Sequence, residues 1–138
     1  MDRFSFKVLS KFIEKGQTGN TKLHKSFLFH LNDLYDEDQF ISVYPKNFSN
    51  DKLDELIVLL KDGYIKILKG DENQVIYTHN YSKVVKKDLI TRRNRNERQI
   101  LTLTYDNGET LEFNSEADSN YDLDEVYSIA IRELYKIM

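Results

Sequence analysis

The sequence has no cysteine, no tryptophan, one proline and five glycines in 138 residues. Without cysteine there is no disulfide scaffold, no thiolate metal site and no cysteine nucleophile. The same lack suits a reducing compartment. Glycine is too sparse, and too confined to turn-like stretches, to supply a phosphate-cradling loop; no Walker loop and no G-x-S-x-G is found. Long apolar runs are missing as well. The N-terminal stretch MDRFSFKVLSKFIEKG is broken by Lys7, Lys11 and Glu14, so it has no continuous signal-peptide core. The run ELIVLLKDG is far too short to span a bilayer. These absences predict a soluble, cytoplasmic protein with no catalytic motif and no cofactor. An enzyme would need a site assembled from residues distant in sequence.

What is present suits one α+β domain over residues 1–138. Hydrophobic residues make up 40% and charged residues 31%, the balance of a globular chain. At this length about two-thirds of the surface is buried on folding, enough for a core without staples. Residues 1–38 read as a helical segment. Val8, Leu9, Phe12 and Ile13 share one helical face, with Gly16 as a stop. Thr21 is placed to cap a second helix carrying Leu23, Phe27, Leu31, Leu34 and Tyr35.

From Gln39 the period changes from helical to alternating. FISVYP reads as a strand ended by Pro45. ELIVLLKDGYIKILKG reads as a hairpin joined by Asp62-Gly63, a pair that supplies positive φ in a tight turn. A rival reading makes Leu53, Leu56, Ile57 and Leu60 one face of a helix. QVIYTHN and KVVKKDLITR read as further strands. In QILTLTYDNGETLEF, Leu101, Leu103 and Tyr105 alternate with threonines, Asp106-Asn107-Gly108 turns, and Leu111 and Phe113 return on the same face. Asp122 and Glu125 make an acidic capping pair for a last helix. Its stripe is Leu123, Val126, Tyr127, Ala130, Ile131 and Leu134.

Six or seven antiparallel strands closed by one amphipathic C-terminal helix resemble a pleckstrin-homology-like barrel of the bacterial kind. DELIVLLKDGYIKIL looks like its opening hairpin, ILTLTYDNGETLEF like its last hairpin, and DEVYSIAIRELYKI like its closing helix. The resemblance covers about residues 39–138 and leaves 1–38 as a helical extension. The chain also resembles small proteins of unassigned function common in bacilli and their phages. The resemblance implies a binding module whose ligand is another protein, met through a sheet edge or the helical extension. In eukaryotic relatives of this superfold, basic loop residues hold inositol phosphates.

The charge distribution makes an anionic ligand the second expectation. From Lys83 to Arg98 the chain carries seven basic residues and two acidic ones, although its net charge is -3. Lys86, Lys87, Arg92, Arg93 and Arg95 are the candidate anion-binding residues, for a membrane surface or another polyanion. The competing reading is a solvated hairpin tip whose charges discourage edge-to-edge pairing. Nucleic acid is disfavoured, because the segment has no aromatic side chain to stack on bases.

No metal is expected. Asp118, Asn120, Asp122 and Asp124 have the alternating spacing of a calcium loop, but Leu123 and Ile129 stand where the turn glycine and the bidentate glutamate belong. His24 and His30 are six apart, and His79 is remote, which predicts surface or half-buried histidines and no zinc site.

Overall fold

The change of period near residue 39 is a real boundary between element types. The computed structural model describes residues 4–16, 21–47, 55–72, 74–91, 98–119 and 124–138. Helices α1 (Phe6–Glu14) and α2 (Thr21–Leu34) come first. A 3-10 turn over Glu37–Gln39 follows, at the acidic cluster after α2. Among the described residues seven strands come next: β1 (Phe40–Lys46), β2 (Glu55–Leu60), β3 (Gly63–Lys69), β4 (Val75–Tyr81), β5 (Val84–Thr91), β6 (Gln99–Tyr105) and β7 (Thr110–Asn114). Helix α3 (Asp124–Ile137) closes the chain. The strands make two antiparallel sheets, one of order β1-β2-β3-β4 and one of order β5-β6-β7.

The chain divides into two compact units, Phe4–Tyr81 and Ser82–Met138. In the first unit the helices and the four-stranded sheet share one core. Leu9 and Ile13 of α1 join Phe27, Leu28 and Leu31 of α2 in a cluster with Val43, Leu56, Val58, Leu60, Ile65 and Ile67. The sheet residues of that cluster lie in one row, through the pairs Val43↔Val58, Val58↔Ile65 and Leu56↔Ile67. Removing one such side chain, as in Leu31→Ala, costs about 2–5 kcal/mol through lost transfer energy and the cavity left behind.

α1 is short and well bounded. The Ser5 hydroxyl oxygen accepts a bond from the Val8 N–H at 3.2 Å. At the other end Gly16 takes φ +69° and its N–H donates to the Ile13 carbonyl at 3.0 Å, the stop expected of that glycine. The residues before α2, and with them any capping contact there, lie outside the described residues.

β2 resolves the helix-or-strand ambiguity of ELIVLL. It is a central strand, and Leu56, Ile57, Val58, Leu59 and Leu60 are all buried, so both of its faces are apolar. A strand buried on both faces shows no alternation. Pro45 lies within β1 rather than ending it, opposite Leu56. β1 is an edge strand, where the missing N–H breaks no central ladder.

The β2–β3 hairpin corrects one detail. Leu60 pairs with Gly63, so the two turn residues are Lys61 and Asp62. Among the described residues the positive φ values are at Gly16, Asn47, Glu72 and Gly108, not at Asp62 or Gly63. Gly63 is glycine because β4 passes close to it. A Cβ there would overlap the Asn80 carbonyl oxygen and lie 3.0 Å from its carbonyl carbon.

The second unit follows its sequence pattern closely. Leu101, Leu103 and Tyr105 of β6 and Leu111 and Phe113 of β7 are buried on one face. Gly108 takes φ +85° in the turn between them, and its N–H donates to the Tyr105 carbonyl at 3.0 Å. α3 packs on β6 and β7 and buries Tyr127, Ala130, Ile131 and Leu134. Asp122 and Leu123, expected to open this helix, lie outside the described residues. Among the described residues no helix is long and apolar enough to cross a membrane.

Candidate functional site

β5 is the strand least used by the core. It bonds to β6 along one edge, and among the described residues no strand pairs with its other edge. Its first residues are held by the neighbouring turn. The Asp106 N–H donates to the Lys83 carbonyl at 2.8 Å, and the Asp106 carboxylate accepts from the Lys83 N–H at 3.2 Å. The register slips between Val84 and Lys86, so Val85 is the extra residue of a bulge. Val85 is 64% exposed and Ile90 63% exposed. Two large apolar side chains therefore stand in solvent on one edge strand.

The pairs Lys86↔Thr104, Asp88↔Thr102 and Ile90↔Ile100 put Lys86, Asp88 and Ile90 in one row. Within it the Lys86 ammonium lies 3.5 Å from the Asp88 carboxylate, with both side chains more than half exposed. Such a pair adds little to stability. Lys87 sits in the opposite row, across from Leu103. Its ammonium donates to the Tyr135 carbonyl at 2.6 Å and lies 4.4 Å from the centre of the Tyr135 ring. A cation bound to a carbonyl in the last turn of α3 complements the helix dipole.

Of the five residues expected to bind an anion, then, Lys86 and Lys87 are described and exposed, and they point into different rows. Lys87 is already engaged with α3. Arg92, Arg93 and Arg95 lie outside the described residues. Arg98, the last of the basic run, is 3.5 Å from the Glu116 carboxylate. The structural role of Lys87 is measurable. Lys87→Gln lowers the stability of the protein by up to about 1 kcal/mol, and most of that difference disappears in high salt. Equal stabilities at low salt would remove the helix-end assignment.

The acidic stretch after β7 serves the turn it sits in. Asp118 is 5% exposed, and its carboxylate accepts the Asn114 N–H at 2.8 Å. Ser115 accepts the Gln99 N–H on its hydroxyl at 2.9 Å and returns its own N–H to the Gln99 carbonyl at 3.0 Å. The Ser119 hydroxyl donates to the Ser115 carbonyl. Burial, reinforced by the charge of Asp118, pushes the Tyr127 hydroxyl far above the usual phenol range. Asn120 and Asp122 of the calcium-like spacing lie outside the described residues, and Asp118 is bonded to backbone.

The histidines depart from expectation at one position. His24 is fully buried in the first unit, with its ring 5.9 Å from Phe27. Burial lowers its pKa to about 4. The sequence signal was there: His24 stands three residues before Phe27 and seven before Leu31, on the apolar stripe. His30 is exposed and His79 half-buried. His79 stacks on Tyr81 with 4.0 Å between ring centres, and Tyr35 lies 5.5 Å from His79. Tyr77 donates its hydroxyl to the Phe27 carbonyl at 3.2 Å, and burial raises its pKa to about 12. Phe29, Leu34, Ile76 and Tyr81 are exposed on α2 and β4. This second exposed apolar group was not singled out from sequence.

One protein family decides where the chain belongs. The family model described as a protein of unknown function, DUF3908, matches residues 8–128. The chain belongs to the DUF3908 family. The matched range begins in α1 and ends in α3, so it takes in most of both compact units of this DUF3908 protein. Neither the curated proteins nor the solved structures give a match to the chain.

Proposed function

We propose that this DUF3908 protein is a non-enzymatic binding module that engages another protein through the free edge of β5. One observation carries the reading: β5 is the edge strand of its sheet, with Val85 and Ile90 about two-thirds exposed on it, and among the described residues no strand pairs with its outer edge. Such an edge is a template for an added strand. A pleckstrin-homology-like scaffold belongs to the same reading. Four and three antiparallel strands followed by an amphipathic C-terminal helix support it. A cytoplasmic, bacterial setting is part of the proposal and rests on the sequence alone.

The polyanion reading has less behind it. Of the basic residues described between 83 and 98, Lys87 is engaged with α3 and Arg98 with Glu116. Lys86 lies 3.5 Å from the Asp88 carboxylate, which leaves Lys83, just before a strand whose exposed apolar groups have no counterpart on a phosphate surface.

Photo-crosslinking in cells of the source organism tests the proposal. A photoreactive amino acid replaces Ile90 in one strain and Glu112, on β7 of the same sheet, in another. A discrete crosslinked protein at position 90 and none at 112 is the expected result. No crosslink at 90, or the same products at both positions, would overturn the β5 reading.

A further inference from the structure

We infer that the partner presents an acidic, extended segment that adds to β5 as a further antiparallel or parallel strand. This inference rests on the β5 reading above and specifies the chemistry of what docks there.

The charge on the strand is the first argument. Between residues 83 and 91 there are three lysines, Lys83, Lys86 and Lys87, against one aspartate, Asp88, in a chain of net charge -3. All four are exposed. Thr104 and Thr102 stand across from Lys86 and Asp88 and add no charge, and the Lys86–Asp88 pair, 3.5 Å apart, leaves Lys83 and Lys87 as the net positive charge. An incoming strand lies closest to these side chains, and directly opposed like charges disfavour pairing. A basic or neutral strand is therefore disfavoured relative to an acidic one. The same lysines act against a second copy of this edge, which would bring two net-positive strands into one seam.

The second argument concerns the alternation of chemistry. Val85 and Ile90 flank the charged centre of the strand and are more exposed than any other described aliphatic side chains of their size. A polyanion such as a lipid head-group layer offers them no apolar counterpart. It also offers no backbone donors and acceptors for the free edge. A polypeptide strand with carboxylates near the centre and apolar residues toward its ends meets all three demands.

Lys87 adds a constraint on geometry. It belongs to the row across from Leu103, and its ammonium reaches over to the carbonyl and ring of Tyr135. Tyr135 and Ile137 of α3 are exposed. One face of an added strand thus meets Lys86, Asp88 and Ile90, while its other face passes the Lys87–Tyr135 contact. With Lys86 paired to Asp88 and Lys87 held by α3, the charge available for recognition without disturbing either contact is that of Lys83.

Fluorescence anisotropy with the full chain and four defined probes tests this. The probes are a short peptide alternating glutamate with valine, its lysine–valine counterpart, the acidic peptide with methylated backbone nitrogens, and vesicles containing phosphatidylglycerol. The acidic peptide is expected to bind, to weaken as salt rises, and to bind roughly tenfold more weakly to Lys83→Glu/Lys86→Glu. Circular dichroism establishes that this variant is folded. The methylated peptide, which cannot form the ladder, is expected not to bind.

Equal binding of the lysine peptide would overturn the acidic class and leave the β5 edge reading intact. Equal binding of the methylated peptide, or displacement of the acidic peptide by the vesicles, would replace strand addition with simple polyanion attraction and overturn both. A dimer that forms with rising protein concentration and is abolished by Ile90→Lys would make a second copy the occupant and overturn the acidic partner. If no peptide binds while position 90 still crosslinks a protein, the inference fails and the edge reading survives.

Discussion

Gly63→Ala lowers the stability of the protein by about 3 kcal/mol or more, while Gly108→Ala costs about 1 kcal/mol. The two glycines look alike in sequence, each following an aspartate or asparagine in a tight turn, but they are glycine for different reasons. Gly108 takes φ +85° and has open space where a Cβ would be, so a side chain there meets backbone strain only. Gly63 has ordinary φ and no open space. A Cβ would run into the carbonyl of Asn80 and lie 3.2 Å from the Cα of Tyr81, both on the paired strand β4. Backbone cannot rotate away as a flexible side chain can, so the β3–β4 ladder must open. Urea denaturation of both variants beside the parent measures the difference. Equal losses would show that the approach of β4 to Gly63 does not constrain this position.

Acid weakens the protein through His24. Its imidazole is fully buried in the first unit, and burial lowers its pKa from 6.5 to about 4. The folded protein therefore holds His24 neutral while the unfolded chain protonates it below pH 6.5. The unfolded state binds more protons in that window, so stability rises with pH. The contribution is fully present above about pH 6.5 and is lost as pH falls toward 4. The loss is on the order of 3 kcal/mol, from about 1.4 kcal/mol for each pH unit. Carboxylates add their own dependence at the acid end, so the comparison is between parent and His24→Leu. The parent's stability curve is expected to fall more steeply between pH 6.5 and 4, and the variant's to lack that extra slope. Parallel curves would mean that His24 does not remain neutral in the fold.

These two residues also show which parts of the fold can be read from sequence. The β6–β7 hairpin and α3 were legible because each has one buried face, so the alternation of Leu101, Leu103 and Tyr105 and the stripe ending at Leu134 stand out. β2 was ambiguous because its two faces are both buried, which erases any period over Leu56–Leu60. Pro45 reads as a stop only if β1 is taken to need its N–H, and an edge position removes that need. The reason for Gly63 could not be read at all. It depends on where β4 passes, which is a tertiary fact, whereas the pair Asp62-Gly63 carries only local turn chemistry. His24 lies between these cases: its spacing to Phe27 and Leu31 fits the apolar side of the helix, but its polarity argued it outward and it was left off the stripe.

The candidate site was partly legible in the same way. VVKKDLIT shows two apolar pairs split by charge, the pattern of a strand that no core claims, and β5 is such a strand. Sequence gave the basic residues but not their separation by the pleat, which places Lys86 in one row and Lys87 in the other. Nor could it show that Lys87 reaches Tyr135, 48 residues later. The exposed group of Phe29, Leu34 and Tyr81 was hidden for a related reason. Apolar residues on a helix or strand are read as core by default, and only the packing of α2 on β1–β4 shows which ones are left outside.

Amide hydrogen exchange across β5, in the free protein and with the protein crosslinked through position 90 bound, tests the central claim most directly. The account predicts new protection on alternate amides of Val84–Thr91, those directed away from β6, with the β6 and β7 amides unchanged. Unchanged exchange along β5, with protection appearing instead on α2 and β4, would contradict it and move the binding surface to the group around Phe29 and Tyr81.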